Sequence, residues 1–176
     1  FTTLGASVNK FTVFIGRFSP FHLGHEEVLL RALKSSEVVL LLIGSADSSR
    51  NVKNPFTAQE RAKMITDWYE AQYVAVPKLG KLVIDGIQDQ PYNDQEWIAN
   101  VQTAVLKCRK NWDIPDAWPT FLTGAERDAS TWYLKSFGSF FQLDLIKETT
   151  VGFDYSATQL RDNYFTGGNA WEYKTP

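Results

Sequence analysis

Cysteine is nearly absent: Cys108 is the single such residue among 176. One thiol closes no internal disulfide, so nothing here is built for an oxidising compartment, and a reducing, cytoplasmic setting is expected. Cys108 follows Val105, Leu106 and Lys107 near the end of a helical pattern and reads as a small apolar residue, not a nucleophile. A basic surplus is lacking too. The formal net charge is -2, whereas duplex binders carry a strong cationic excess, so no nucleic-acid partner is expected. Long apolar runs are missing. The best, Val38–Ile43, suits a buried strand and falls well short of the ~20 residues that cross a bilayer. No basic stretch leads into an apolar one at the start, so neither membrane nor secretion signal is expected. Methionine occurs once, at Met64, and the chain opens on Phe1, so the natural polypeptide is expected to start upstream, with room for a further domain.

What is present supports a core. Hydrophobic residues make up 44% and charged residues 22%, proportions of a folded domain and not of a disordered segment. The expectation is one domain over residues 1–176, with 1–9 a flexible or foreign tail. Strand patterns fall at 11–15, 38–43, 81–87, 120–122 and 141–146. Helical patterns fall at 24–34, 57–70, 93–108, 130–137 and 156–164. Thr57 and Glu60 fit a capping box, and Asn93 or Asp94 fits a helix cap. This alternation predicts an α/β fold with a doubly wound, mostly parallel sheet. Ligands of such sheets sit beyond the carboxyl ends of the strands, which directs attention to loops 16–23, 44–55, 88–93 and 124–129.

The first of these loops carries Gly16, Arg17, Phe18 and then His22-Leu23-Gly24-His25. It leaves a strand and opens a helix, where free backbone amides attract phosphate. Gly16 allows a tight exit, and Gly24 puts no side chain between backbone and ligand. His22 and His25, three apart at a helix start, can face one site, and they are the only histidines in the chain. Imidazole suits phosphoryl chemistry as an N–H donor or a cation. Metal binding and plain helix capping are the other readings, and two histidines without a neighbouring Asp or Cys make a poor metal site. Far along the chain, Ser156, Thr158 and Arg161 place two hydroxyls at a helix start and a guanidinium one turn on, either an anion site or a plain cap with a solvated arginine.

The stretch from Gly16 to His25 resembles the His-x-Gly-His motif of the nucleotidyltransferase α/β-phosphodiesterase superfamily. Ser156, Thr158 and Arg161 resemble its second motif, Ser-x-Thr-x-x-Arg. Gly44-Ser45-Ala46 and the run Asn54-Pro55-Phe56-Thr57-Ala58-Gln59-Glu60-Arg61 resemble the archaeal-type nicotinamide mononucleotide (NMN) adenylyltransferases and the adenylyltransferase half of bacterial enzymes fused to a Nudix hydrolase. The segment from Gly124 to Leu134 looks closer to the fused group, which usually has histidine where Ala125 stands. The resemblance implies a Rossmann-like sheet and in-line attack by the phosphate of NMN on the α-phosphorus of ATP. NAD and pyrophosphate result, with magnesium entering as the ATP complex and no covalent enzyme intermediate.

The same resemblance casts His22, His25, Arg161 and Arg17 as catalytic. Gly16, Arg17, Phe18, Gly24, Lys53, Gly124, Ser156, Thr158 and Arg161 would bind ATP or its phosphates. Trp97 would stack on the nicotinamide ring and Asn93 would reach its carboxamide, although Asn93 suits an N-cap equally well. Arg61, just past the capping box, reads as structural, and Asp47 and Asp128 carry no assigned role. The resemblance also allows a homo-oligomer and a fused Nudix domain. Alternatives are another adenylyl- or cytidylyltransferase of the superfamily, or a module that senses NAD or ATP without turnover.

Overall fold

The computed structural model describes residues 9–46, 55–90, 93–126 and 136–147. Five strands and three helices alternate through them: β1 (Phe11–Gly16), α1 (Leu23–Ser35), β2 (Val38–Ile43), α2 (Ala58–Ala75), β3 (Lys81–Gly86), α3 (Asp94–Asn111), β4 (Thr120–Glu126) and β5 (Gln142–Lys147). All neighbouring strands pair in parallel, in the order β3-β2-β1-β4-β5. The chain works outward from β1 to β3, then returns to lay β4 on the other side of β1. The carboxyl ends of β1 and β4 therefore flank a topological switch point.

Alternation along the central strands divides the core into two layers. Phe11, Val13 and Ile15 of β1 and Leu40 and Leu42 of β2 face α3, where they meet Val101, Ala104, Val105 and Cys108. Phe14 of β1 and Val39, Leu41 and Ile43 of β2 face α1 and α2, against Val28, Leu29, Leu33, Ile65 and Trp68. A strand covered on both faces needs apolar residues at every position, which is why 38–43 is one unbroken run.

Several element ends differ from the sequence reading. Helix α2 runs to Ala75, past the expected end at residue 70. Nothing between Glu70 and Pro77 breaks a helix, and proline supplies the first stop. Helix α3 continues to Asn111, and Asn93 caps it, its side chain accepting from the Glu96 amide. Strand β4 passes through Gly124 to Glu126 because β5 pairs with it as far as the Glu126–Lys147 register. Ladder pairing outweighs the local preference of one glycine. The helix expected at 130–137 lies outside the described residues except for Ser136 and Phe137, which stand in a turn. The helix expected at 156–164 lies wholly outside them.

Cys108 is buried in the α3 layer, and burial pushes its thiol up to about 11, with Asp85 adding to the shift and Arg109 opposing it. The buried, protonated thiol is therefore expected to resist maleimide in the native protein and to react only as the protein opens. An unfolded cysteine titrates near 8.5, so its contribution to stability is expected to fade as pH rises from about 8.5 towards 11. Labelling followed by mass spectrometry in rising urea checks this; rapid labelling without denaturant would contradict it.

Candidate active site

The turn from β1 into α1 is closed by its own histidines. His22 is the N-cap of α1, and its Nδ1 accepts the amides of Gly24 at 3.1 Å and His25 at 3.4 Å. His25 reciprocates, its Nδ1 accepting the His22 amide at 3.4 Å. This is a capping box built from imidazoles in place of a hydroxyl and a carboxylate. It corrects one expectation: the Gly24 and His25 amides already have an acceptor in His22, so they are not free for phosphate. An accepting Nδ1 bears no proton, so each neutral ring carries its proton on Nε2. The two rings stack with centroids 3.7 Å apart, and the His22 Nε2 is itself buried.

Aromatic rings hold this pair in place. Phe21 stacks on His25 with centroids 6.0 Å apart, and Phe18 meets His25 edge-on at 4.8 Å. Phe14 supports Phe18 at 5.1 Å, and Trp68 of α2 supports Phe21 at 5.5 Å. His22 is 1% exposed, whereas His25 is half-buried. Gly16 has to be glycine: a Cβ there would come within 2.8 Å of the Phe18 ring.

The exits of β1 and β2 meet at one side chain. Arg61, 0% exposed on α2, donates from one terminal nitrogen to the carbonyls of Arg17 at 2.9 Å and Gly44 at 2.7 Å. Its other terminal nitrogen donates to Ser45 O at 3.0 Å, and its Nε to Thr57 O at 3.2 Å. Phe18 and Ser45, which follow two of those carbonyls, are both left-handed at φ 54, a conformation costing a non-glycine residue about 1–2 kcal/mol. The Gly44 amide bonds Gly16 O at 2.7 Å, and Ser45 Oγ reaches Asp89 beyond β3 at 2.7 Å. Burial and the Arg17 cation hold the Arg61 pKa below its ordinary value while Asp89 opposes them, and arginine remains charged regardless.

The structure brings together part of the predicted set. Arg17 is exposed beside the histidine turn and makes no ion pair among the described residues. Phe18 is 1% exposed, so residue 18 can meet a ligand only through its backbone. Gly24 lies between the histidines, and Gly124 is buried in β4, next to β1. Trp97 is half-buried on the first turns of α3, its ring 6.1 Å from Phe137. Asn93 is exposed and engaged as a cap, its Nδ2 also donating to Glu96 at 3.0 Å. Lys53, Ser156, Thr158, Arg161, Asp47 and Asp128 lie outside the described residues. The roles of Ser45, Asp89 and the aromatic cage went unread. Phe18 and Phe21 inside the histidine loop were the available signal for the cage, whereas a serine and an aspartate 44 positions apart offered none.

Among the described residues no three His, Cys, Asp or Glu side chains form a group that could hold a metal ion. No described helix is long and apolar enough to cross a membrane. A turn of two stacked imidazoles, an exposed arginine and a switch point can hold an anionic phosphate chain and donate hydrogen bonds to it.

Comparison with known proteins agrees with that geometry. The model of the cytidylyltransferase-like family matches residues 13–163. The chain belongs to this family. Among its relatives is the nicotinamide/nicotinic acid mononucleotide adenylyltransferase of Acinetobacter baylyi, 36% identical over 162 residues, which are 89% of this chain and 76% of that protein. The nicotinamide-nucleotide adenylyltransferase of Methanococcus maripaludis is 30% identical over 165 residues, 92% of this chain and 81% of that one. Among solved structures, the bifunctional NMN adenylyltransferase/ADP ribose pyrophosphatase of Francisella tularensis, complexed with AMP and a manganese ion, superposes with a TM-score of 0.73 at 27% identity. That match covers 94% of this chain but 44% of the Francisella chain, so the family member described here spans less than half of that bifunctional protein.

Proposed function

We propose that this protein is a nicotinamide-nucleotide adenylyltransferase working in a cytoplasmic setting. A phosphate oxygen of nicotinamide mononucleotide attacks the α-phosphorus of ATP, the bond from that phosphorus to the β-phosphate bridging oxygen breaks, and pyrophosphate leaves as NAD forms. The observation that carries the reading is the stacked His22–His25 pair at the switch point, each ring left with an Nε2–H beyond its capping Nδ1. Those N–H groups suit the phosphate oxygens that gain charge in the transition state. Exposed Arg17 adds a cation there, and the backbone of Gly16, Phe18, Gly24 and Gly124 lets the nucleotide approach closely. Lys53, Ser156, Thr158 and Arg161 complete the phosphate contacts in this reading, and Trp97 stacks on the pyridine with Asn93 beside it. Magnesium enters with ATP, as suits an ion that keeps its waters and binds phosphates more readily than a protein cage. The names of the Acinetobacter and Methanococcus relatives support the reaction and the acceptor class.

The test is chromatography of the purified protein with ATP, magnesium and nicotinamide mononucleotide, the acid form run in parallel. NAD and pyrophosphate appearing together are expected. ATP binding without product from either acceptor would reject the reading in favour of a sister transferase or a nucleotide sensor. His25→Ala is expected to cut kcat roughly a hundredfold in a folded protein, the scale of losing one transition-state donor; near-normal turnover would contradict the assignment. Trp97→Ala is expected to weaken the mononucleotide more than ATP, by calorimetry on each ligand, and equal weakening of both would count against stacking.

A further inference from the structure

Arg61 spans more of the site than a helix residue needs to. Its guanidinium collects the carbonyls of Arg17, Gly44 and Ser45 at 2.7–3.0 Å, so one planar group ties the exit of β1 to the exit of β2. Its Nε and its own amide both return to Thr57 O, which fixes the guanidinium to the capped start of α2. Two of the three carbonyls stand immediately before the left-handed residues Phe18 and Ser45, and the third belongs to Ser45 itself. The held segments are the ones that carry Arg17 and lead into the His22 cap. Three carbonyl oxygens accept from the guanidinium, and the Asp89 carboxylate also favours its charge.

We propose that Arg61 is a positioning residue for adenylyl transfer, its buried guanidinium holding two left-handed strand exits in the register that presents Arg17 and the histidine pair to ATP. The assignment rests on the adenylyltransferase reading above. Lysine keeps the charge but lacks the planar fork that reaches three carbonyls at once. A shift of about 1 Å in catalytic groups is enough for losses on the order of a hundredfold.

The test compares wild type, Arg61→Lys, Ser45→Gly and the double variant. Folded fraction is measured by circular dichroism, and kcat and KM are measured for each substrate well below the unfolding midpoint. Arg61→Lys is expected to lose roughly ten- to a hundredfold in kcat per folded molecule, with KM for nicotinamide mononucleotide within about twofold. Ser45→Gly is expected to cost little more than its bond to Asp89, and to restore part of kcat in the Arg61→Lys background, because glycine adopts the left-handed turn without being held there. A folded Arg61→Lys protein that keeps kcat within about twofold and loses only thermal stability would overturn the positioning role. Failure of Ser45→Gly to restore any activity, or of the double variant to fold, would also overturn it. A wild-type protein without turnover would instead remove the underlying reading, visible before any variant is assayed.

Discussion

The start of α1 is capped by an imidazole nitrogen, and the geometry of the site follows from that bond. His22 Nδ1 takes the Gly24 and His25 amides, and His25 Nδ1 takes the His22 amide in return. Each bond fixes a ring orientation and a tautomer at once. A serine cap would have closed the helix equally well but left no second N–H to present. Here the group that ends the helix and the group proposed to meet a phosphate belong to one histidine pair, so local folding and the proposed chemistry cannot be separated.

That turn stays in place because three other features converge on it. Phe18 and Phe21 bracket His25, and they are buried because β1 delivers the chain into the layer between sheet, α1 and α2. Gly16 leaves room for the Phe18 ring to fold back over the strand end. Arg61 reaches across from α2 to the carbonyls of both exits. The left-handed turns at Phe18 and Ser45 run against the ordinary preference of their residues and are kept by bonds from outside the turn, as strained positions at functional sites generally are.

Much of this was legible in the sequence, for physical reasons. The run Val38–Ile43 has a single reading because a two-sided strand excludes polar residues, and the capping box at Thr57 and Glu60 forms as its spacing implies. The strand–glycine–helix context of His22 and His25 placed them at the switch point, where the sheet order puts them. Element ends were less legible: α2 outran its expected stop because its amphipathic pattern fades before any breaker arrives. Long-range polar contacts were not legible at all. Arg61 read correctly as structural, but nothing in a linear pattern shows that its partners are carbonyls 16, 17 and 44 residues away. Asn93 fitted two roles on sequence, and the structure supplies one of them, the cap.

Because the chain holds only two histidines, their nitrogens can be observed without ambiguity. Long-range proton–nitrogen correlation spectra near neutral pH, taken before and after adding a non-hydrolysable ATP analogue with magnesium, measure the tautomer of each ring and whether a phosphate meets it. Both rings are expected as neutral Nε2–H tautomers, with the Nε2 resonances moving on nucleotide binding and the Nδ1 resonances nearly still. A proton on either Nδ1, or nucleotide binding that leaves both Nε2 resonances unmoved, would contradict an imidazole cap that doubles as the phosphate donor.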